Sequence, residues 1–123
     1  MPSPAILRSA ARSAAILRYS VWDWIPISLA ATHFALLIAF FIAFPALSWP
    51  LRIFAGLLYS IGISWSINSI SHNFLHNPYF VSKRLNVLFS YLLSITIGFS
   101  QAMYTFIHMR HHSGNMDLSL IHI

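Results

Sequence analysis

Five of the seven histidines in this chain stand in two short clusters, His72-Asn-Phe-Leu-His76 and His108-Met-Arg-His111-His112. On a helix, residues three or four apart share a face. His72 and His76 then project together, one turn apart, and His108 shares a face with both His111 and His112. Imidazole is a ligand for iron, copper, zinc and nickel. Two such groups brought together enclose one or two metal ions. A lone pair of histidines at i, i+4 is common and means little by itself. Here both clusters sit at the ends of apolar runs, where ionisable groups are costly and usually functional. The expected chemistry is metal binding through His72, His76, His108, His111 and His112.

The elements that position these histidines are apolar. The chain has 123 residues, of which 58% are hydrophobic and 7% charged. A soluble domain carries about 25% charged residues, and a chain of this length cannot hide so much apolar surface inside itself. Lipid is the natural cover. The formal charge of +5 comes from Arg8, Arg12, Arg18, Arg52, Lys83, Arg84 and Arg110, scattered at the margins of apolar runs. That pattern suits membrane flanks and not nucleic acid. The lack of cysteine excludes disulfides, thiolate metal sites and thiolate catalysis by this segment.

Residues 1–20 read as a basic tail or interfacial helix. Trp22, Trp24 and Pro26 mark a boundary between water and lipid, with Asp23 as a helix N-cap. No charge interrupts Ile25 to Phe44, and about 20 apolar residues suffice to span a bilayer. Pro45 and Pro50 bracket a short connection to a second apolar stretch, Leu51 to Ile70. These two form a transmembrane hairpin whose outer ends share one side. The basic residues at those ends argue for the cytoplasmic side; Arg52, at the short connection, dissents.

A third apolar stretch, Leu85 to Ile107, is richer in polar residues and holds Gly98. A straight crossing would put His76 and His108 on opposite faces, where they could not share a metal. The metal reading therefore requires a segment that is broken or does not span. Asn77-Pro78 ends the preceding helix and permits a turn. The expected fold is all-α and integral to the membrane, a two-helix hairpin plus this broken apolar segment.

Further residues carry weaker signals. Ser60, Ser64, Asn68, His72 and His76 recur at four-residue steps. They read either as a cavity wall leading to the metal or as helix packing through small polar residues. Gln101, Tyr104 and Thr105 supply outer hydrogen bonds to the second cluster or pack in the ordinary way. His33, alone in the first apolar run, reads as a hydrogen-bonded packing residue. Asp117 is either an outer partner of the site or a solvated loop residue.

The two clusters resemble the first two histidine boxes of the membrane fatty acid desaturase and hydroxylase superfamily. His72-xxx-His76 directly follows a transmembrane hairpin, and His108-xx-His111-His112 follows after an apolar interval of similar length. The resemblance covers roughly residues 20–117. It implies a non-haem site of two iron ions on the cytoplasmic side, with His72, His76, His108, His111 and His112 as ligands. It further implies an enzyme that uses O2 to desaturate or hydroxylate a lipid, foremost a fatty acyl chain. Electrons would come from an external donor of ferredoxin, rubredoxin or cytochrome type. Carotenoid ketolases or hydroxylases and alkane hydroxylases share the boxes, so a carotenoid or an alkane is an alternative substrate. Outside the superfamily, a membrane metal-binding or metal-transport protein is the competing class, as is a non-catalytic subunit.

The family has a third box, another HxxHH, and further transmembrane helices, neither of which appears here. The chain is therefore expected to be an amino-terminal piece, residues 21–117 being a partial desaturase-like domain that is inactive alone. Leu118-Ser-Leu-Ile-His-Ile123 matches the translation of a transposon end used in sequencing libraries. The expectation is that residues 118–123 are a non-native tail and that His122 is no ligand. Clean genomic reads encoding those residues at this locus would refute it.

Overall fold

The computed structural model describes residues 16–112. The readings on Arg8, Arg12, Asp117 and the tail 118–123 with His122 lie outside the described residues. Among the described residues the chain is all-α apart from one isolated bridge. Two helical spans are long and apolar enough to cross a membrane, and a bent apolar pair follows them.

The first span begins with a turn of 3-10 helix, Val21–Asp23, leading into α1, Trp24–Ala43. Ser20 caps it: its hydroxyl accepts from the Trp22 N–H at 3.1 Å, while Asp23 Oδ2 accepts from the Ser20 N–H at 3.2 Å. Asp23 precedes α1 but gives it no side-chain cap. Its carboxylate reaches back to complete a capping box, so Ser20 and not Asp23 carries the capping role. Pro26 lies in the first turn of α1, where its missing N–H costs nothing.

From Val21 to Ala46 the span has 26 residues, and the most apolar stretch of 18 within it has a mean hydropathy of 2.2. At 1.5 Å per residue this is about 39 Å, enough for the roughly 30 Å hydrocarbon layer. Leu36, Ile38, Phe41 and Ile42 point outward, while Ile27, Ala30 and His33 face inward. A helix exposing such side chains around most of its surface needs an apolar solvent.

A second turn of 3-10 helix, Phe44–Ala46, leads to α2, Trp49–Trp65. Arg52 folds back onto this connection. Its Nε donates to Leu47 O at 2.9 Å and its Nη2 to Pro45 O at 3.2 Å, with the guanidinium 4.9 Å from the Phe44 ring and 5.0 Å from the Trp49 ring. The dissenting cation thus satisfies carbonyls that the end of α1 leaves open. A local structural need accounts for its position.

Beyond Trp65 the second span continues as a π-helical segment, Ser66–Ser71, and then α3, His72–His76. The π turn shifts the helical phase between Asn68 and His72, so the four-residue polar stripe is not one continuous face. Ser60 donates to Gly56 O and Asn68 to Ser64 O, both at 2.9 Å and both exposed. These residues bond back to their own helix.

The connection after α3 is tightly held. Tyr79 is fully buried, and its ring and that of Phe80 join Phe74 and Phe89 at centroid distances of 5.0 to 5.9 Å. Asn86 clasps the Phe80 backbone with both ends of its amide, at 3.0 and 2.9 Å. The N-terminal segment pairs along the other side: Arg18 N–H donates to Tyr79 O at 2.7 Å and Val81 N–H to Ile16 O at 3.0 Å.

From Ser82 the chain enters α4, Lys83–Ile97, whose buried face is Phe89, Leu93, Thr96 and Ile97. Gly98 ends it with φ 68° and ψ 19°, the left-handed conformation that glycine adopts without a Cβ penalty. Ser100 then starts α5, Gln101–His112, its hydroxyl accepting from the Met103 N–H at 3.3 Å. The bend between α4 and α5 is 96°. The third apolar stretch is thus broken at Gly98, as the shared-site argument requires.

Candidate metal centre

The elbow at Gly98 turns α5 back toward the end of the second span. Gln101 pins its start. The Gln101 N–H donates to Ser94 Oγ at 2.9 Å, and its buried side-chain Nε2 donates to Ser71 O at 3.2 Å, one residue before His72. Gln101 therefore serves the second cluster by fixing backbone and not by touching an imidazole. Thr105 bonds back to Gln101 O, and the Tyr104 ring lies 5.6 Å from that of His108.

The result is a convergence of four imidazoles, His72, His76, His108 and His112, whose candidate ligand nitrogens all lie within 4.8 Å of one another. The Nε2 atoms are 3.2 Å apart between His72 and His76, 3.1 Å between His76 and His108, and 2.9 Å between His108 and His112. Around one ion with metal–nitrogen bonds of about 2.0–2.1 Å, neighbouring ligand nitrogens are separated by about 2.9–3.4 Å. The three contacts fall in that range or touch its lower edge. The outer limit of 4.8 Å exceeds the roughly 4.2 Å available across one ion, so full closure needs a shift of a few tenths of an ångström.

Hydrogen bonding alone does not account for this arrangement. A ring nitrogen has a single in-plane position, holding either a proton or a lone pair. His76 Nε2 and His108 Nε2 each have two imidazole neighbours, so the chain of three contacts supports two good hydrogen bonds at most. A cation among four lone pairs satisfies all of them together. The donor set therefore fits a metal ion, with nitrogen ligands of the kind iron, zinc, copper or nickel accepts.

His72 and His108 are half-buried, and His76 and His112 are exposed. The centre thus lies at the surface of the described residues, open on the side of His76 and His112. Burial first, then the charges of His112, His72, His76 and His111, hold the His108 pKa below the ordinary 6.5. A lower pKa favours the neutral imidazole that a metal requires.

His111 stands outside the four-nitrogen group, exposed, with its ring centroid 6.1 Å from that of His112. On α5, His108 and His112 face the second span together, and His111 projects from the adjoining flank. His33 is also apart. It is buried between α1 and α2, with Nδ1 2.9 Å from Ser66 Oγ and its ring 4.8 Å from that of Tyr59. It serves as the packing residue expected.

Gly62 was not singled out by spacing, yet a Cβ there would stand 3.0 Å from His33 Nε2. Comparison with family models, with curated proteins and with solved structures found no match.

Proposed function

We propose that this chain is part of a membrane non-haem iron oxidoreductase that uses O2 to desaturate or hydroxylate a lipid, most simply a fatty acyl chain. The carrying observation is the convergence of His72, His76, His108 and His112 beside the outer end of an apolar hairpin. Bound iron would supply the activation of dioxygen needed to oxidise an unactivated C–H bond. Desaturation consumes O2, two electrons and two protons, removes two hydrogens from adjacent carbons and releases two waters. Hydroxylation with the same inputs places one oxygen in the C–H bond and releases one water. The electrons require a separate donor protein.

This chain's own residues supply position and dryness. The Nε2 atoms of His72, His76, His108 and His112 converge from two helices, and Gln101 and Gly98 hold those helices against each other. The apolar spans bring the centre to lipid. Arg18, Lys83 and Arg84 flank the histidine-bearing end, which supports a cytoplasmic orientation. His111, beside the four-nitrogen group, is free to take part in a second iron site. Such a site would need ligands from a further histidine box.

The reading is tested by purifying the whole natural protein, loading it with Fe(II) without oxygen and measuring iron per chain. Oxygen, reductant and acyl lipid are then added and the products analysed by mass spectrometry. Iron binding with an oxidised lipid product supports the proposal. Iron binding with no lipid oxidised by any donor class would leave a metal-binding protein, and no iron at all would refute the site.

A further inference from the structure

A second feature lies away from the imidazole centre. A cavity of about 580 Å³ runs along α4, with Arg18 and Lys83 in its lining. These two cations are distant in sequence. The backbone pairing of Ile16 to Arg18 with Tyr79 to Val81 brings them together, because it lays the N-terminal segment against the residues that precede α4. Both side chains belong to exposed residues.

Among the described residues Asp23 is the one carboxylate. It is absent from the cavity lining, and its Oδ2 accepts from the Ser20 N–H. The N-terminal end of α4 adds partial positive charge to the same place. Phe74, Val87, Tyr91 and Ala102 give the lining its apolar part, beside Ser90 and Ser100. Asn86 and Ser94 also line it, but Asn86 is engaged by the Phe80 backbone and Ser94 by Gln101 N and Ser90 O. From Lys83 to Ser94 the helix axis advances about 16 Å. The lining therefore combines two cations with a mostly apolar wall along α4, open to the outside at Val87 and Tyr91.

We propose that this cavity binds an amphiphile with an anionic head, its phosphate or carboxylate held between Arg18 and Lys83 and its acyl chain laid along α4. Basic pockets beside membrane helices recognise acidic headgroups in this way. The site is separate from the four histidines and does not depend on what metal they hold.

The test uses the full chain in neutral detergent, with native mass spectrometry of retained lipid. Phosphatidylglycerol, oleate and phosphatidylcholine are titrated separately. One or both anionic amphiphiles are retained in preference to phosphatidylcholine. Retention of phosphatidylglycerol alone assigns a phospholipid head, and retention of oleate alone assigns a free carboxylate. The double variant Arg18→Gln/Lys83→Gln lowers retention by about thirtyfold. Arg84→Gln makes the same charge change one residue on, outside the lining, and leaves retention unchanged. Should the double variant fail to fold, Ala102→Trp keeps both cations and crowds the apolar wall, and it too weakens retention. Equal retention of all three lipids, an equal loss in Arg84→Gln, or full retention in the folded variants would overturn the proposal.

Discussion

The Nε2 atoms of His76 and His108, separated by 32 positions in the chain, meet at 3.1 Å. No helix period connects them. They meet because α4 stops at Gly98 and α5 leaves at 96° to it. His108 Nε2 also touches His112 Nε2 at 2.9 Å, and His76 Nε2 touches His72 Nε2 at 3.2 Å, so His76 and His108 are the inner links of the cluster.

His108→Ala should therefore weaken metal binding strongly. Loss of an outer partner of a ligand typically costs ten- to hundredfold in affinity, and loss of a central ligand should exceed about hundredfold. His111→Ala, outside the four-nitrogen group, should leave the first ion bound. Co(II) absorption with chelator competition reads both. Equal losses in the two variants would mean that the four-histidine geometry is not the binding geometry.

The cluster should respond to acid. The folded pKa of His108 lies below the ordinary 6.5, through burial first and the neighbouring histidines after it. Between the two values the unfolded or opened chain binds more protons, so closure is favoured as pH rises. The contribution is present above pH 6.5 and is lost as pH falls through the depressed value. Spin labels at positions 77 and 109 should report a short distance at neutral pH and a longer one as the pH falls well below 6.5. Bound Zn(II) should move that opening to lower pH, because metal and protons compete for the same nitrogens. A distance indifferent to pH in the metal-free protein would contradict this.

Gly98→Ala tests the elbow. Space is not the obstacle, since a Cβ there meets nothing within 4 Å. The left-handed φ of 68° is, and a side chain in that conformation costs about 1 kcal/mol. The variant should unfold at lower temperature and bind metal more weakly, because strain at the elbow loosens α5. Weaker binding without any fall in thermal midpoint would place the defect elsewhere.

Gly62→Ala tests the close approach of the two spans. The added methyl would stand 3.0 Å from His33 Nε2, while Ser66 holds the same ring at Nδ1 from 2.9 Å. The ring has little freedom to move, so we expect a loss of about 1–2 kcal/mol, in the range for overpacking. His33→Ala removes the obstacle. The double variant should then be no less stable than His33→Ala alone, as a coupled pair requires. Additive losses in reversible unfolding would show that the two sites do not interact.

Much of this protein is legible from residue order because lipid makes the grammar simple. An uncharged run from Ile25 to Phe44 reads as a helix, since only a helix satisfies the backbone within a single segment in hydrocarbon. Gly98 marked a break because only glycine enters the left-handed region freely. Spacing also paired His72 with His76 and His108 with its neighbours. It could not rank His111 against His112, since both share a face with His108 and only the direction of α5 decides which turns inward. The four-residue step from Ser60 to His76 was legible too, but not the face it makes: such a step assumes an unbroken α-helix, and the π turn at Ser66–Ser71 shifts the phase.

The sequence by itself determined the apolar spans, their hairpin and the residue types able to hold a metal, because hydrophobic length and helical period are local properties. The tertiary structure alone decided that His76 meets His108, that Gln101 grips Ser71 O and that Arg18 and Lys83 line one cavity. Those contacts join distant segments through the angle of one elbow and the backbone pairing of one loop. Neither leaves a periodic trace in the order of residues.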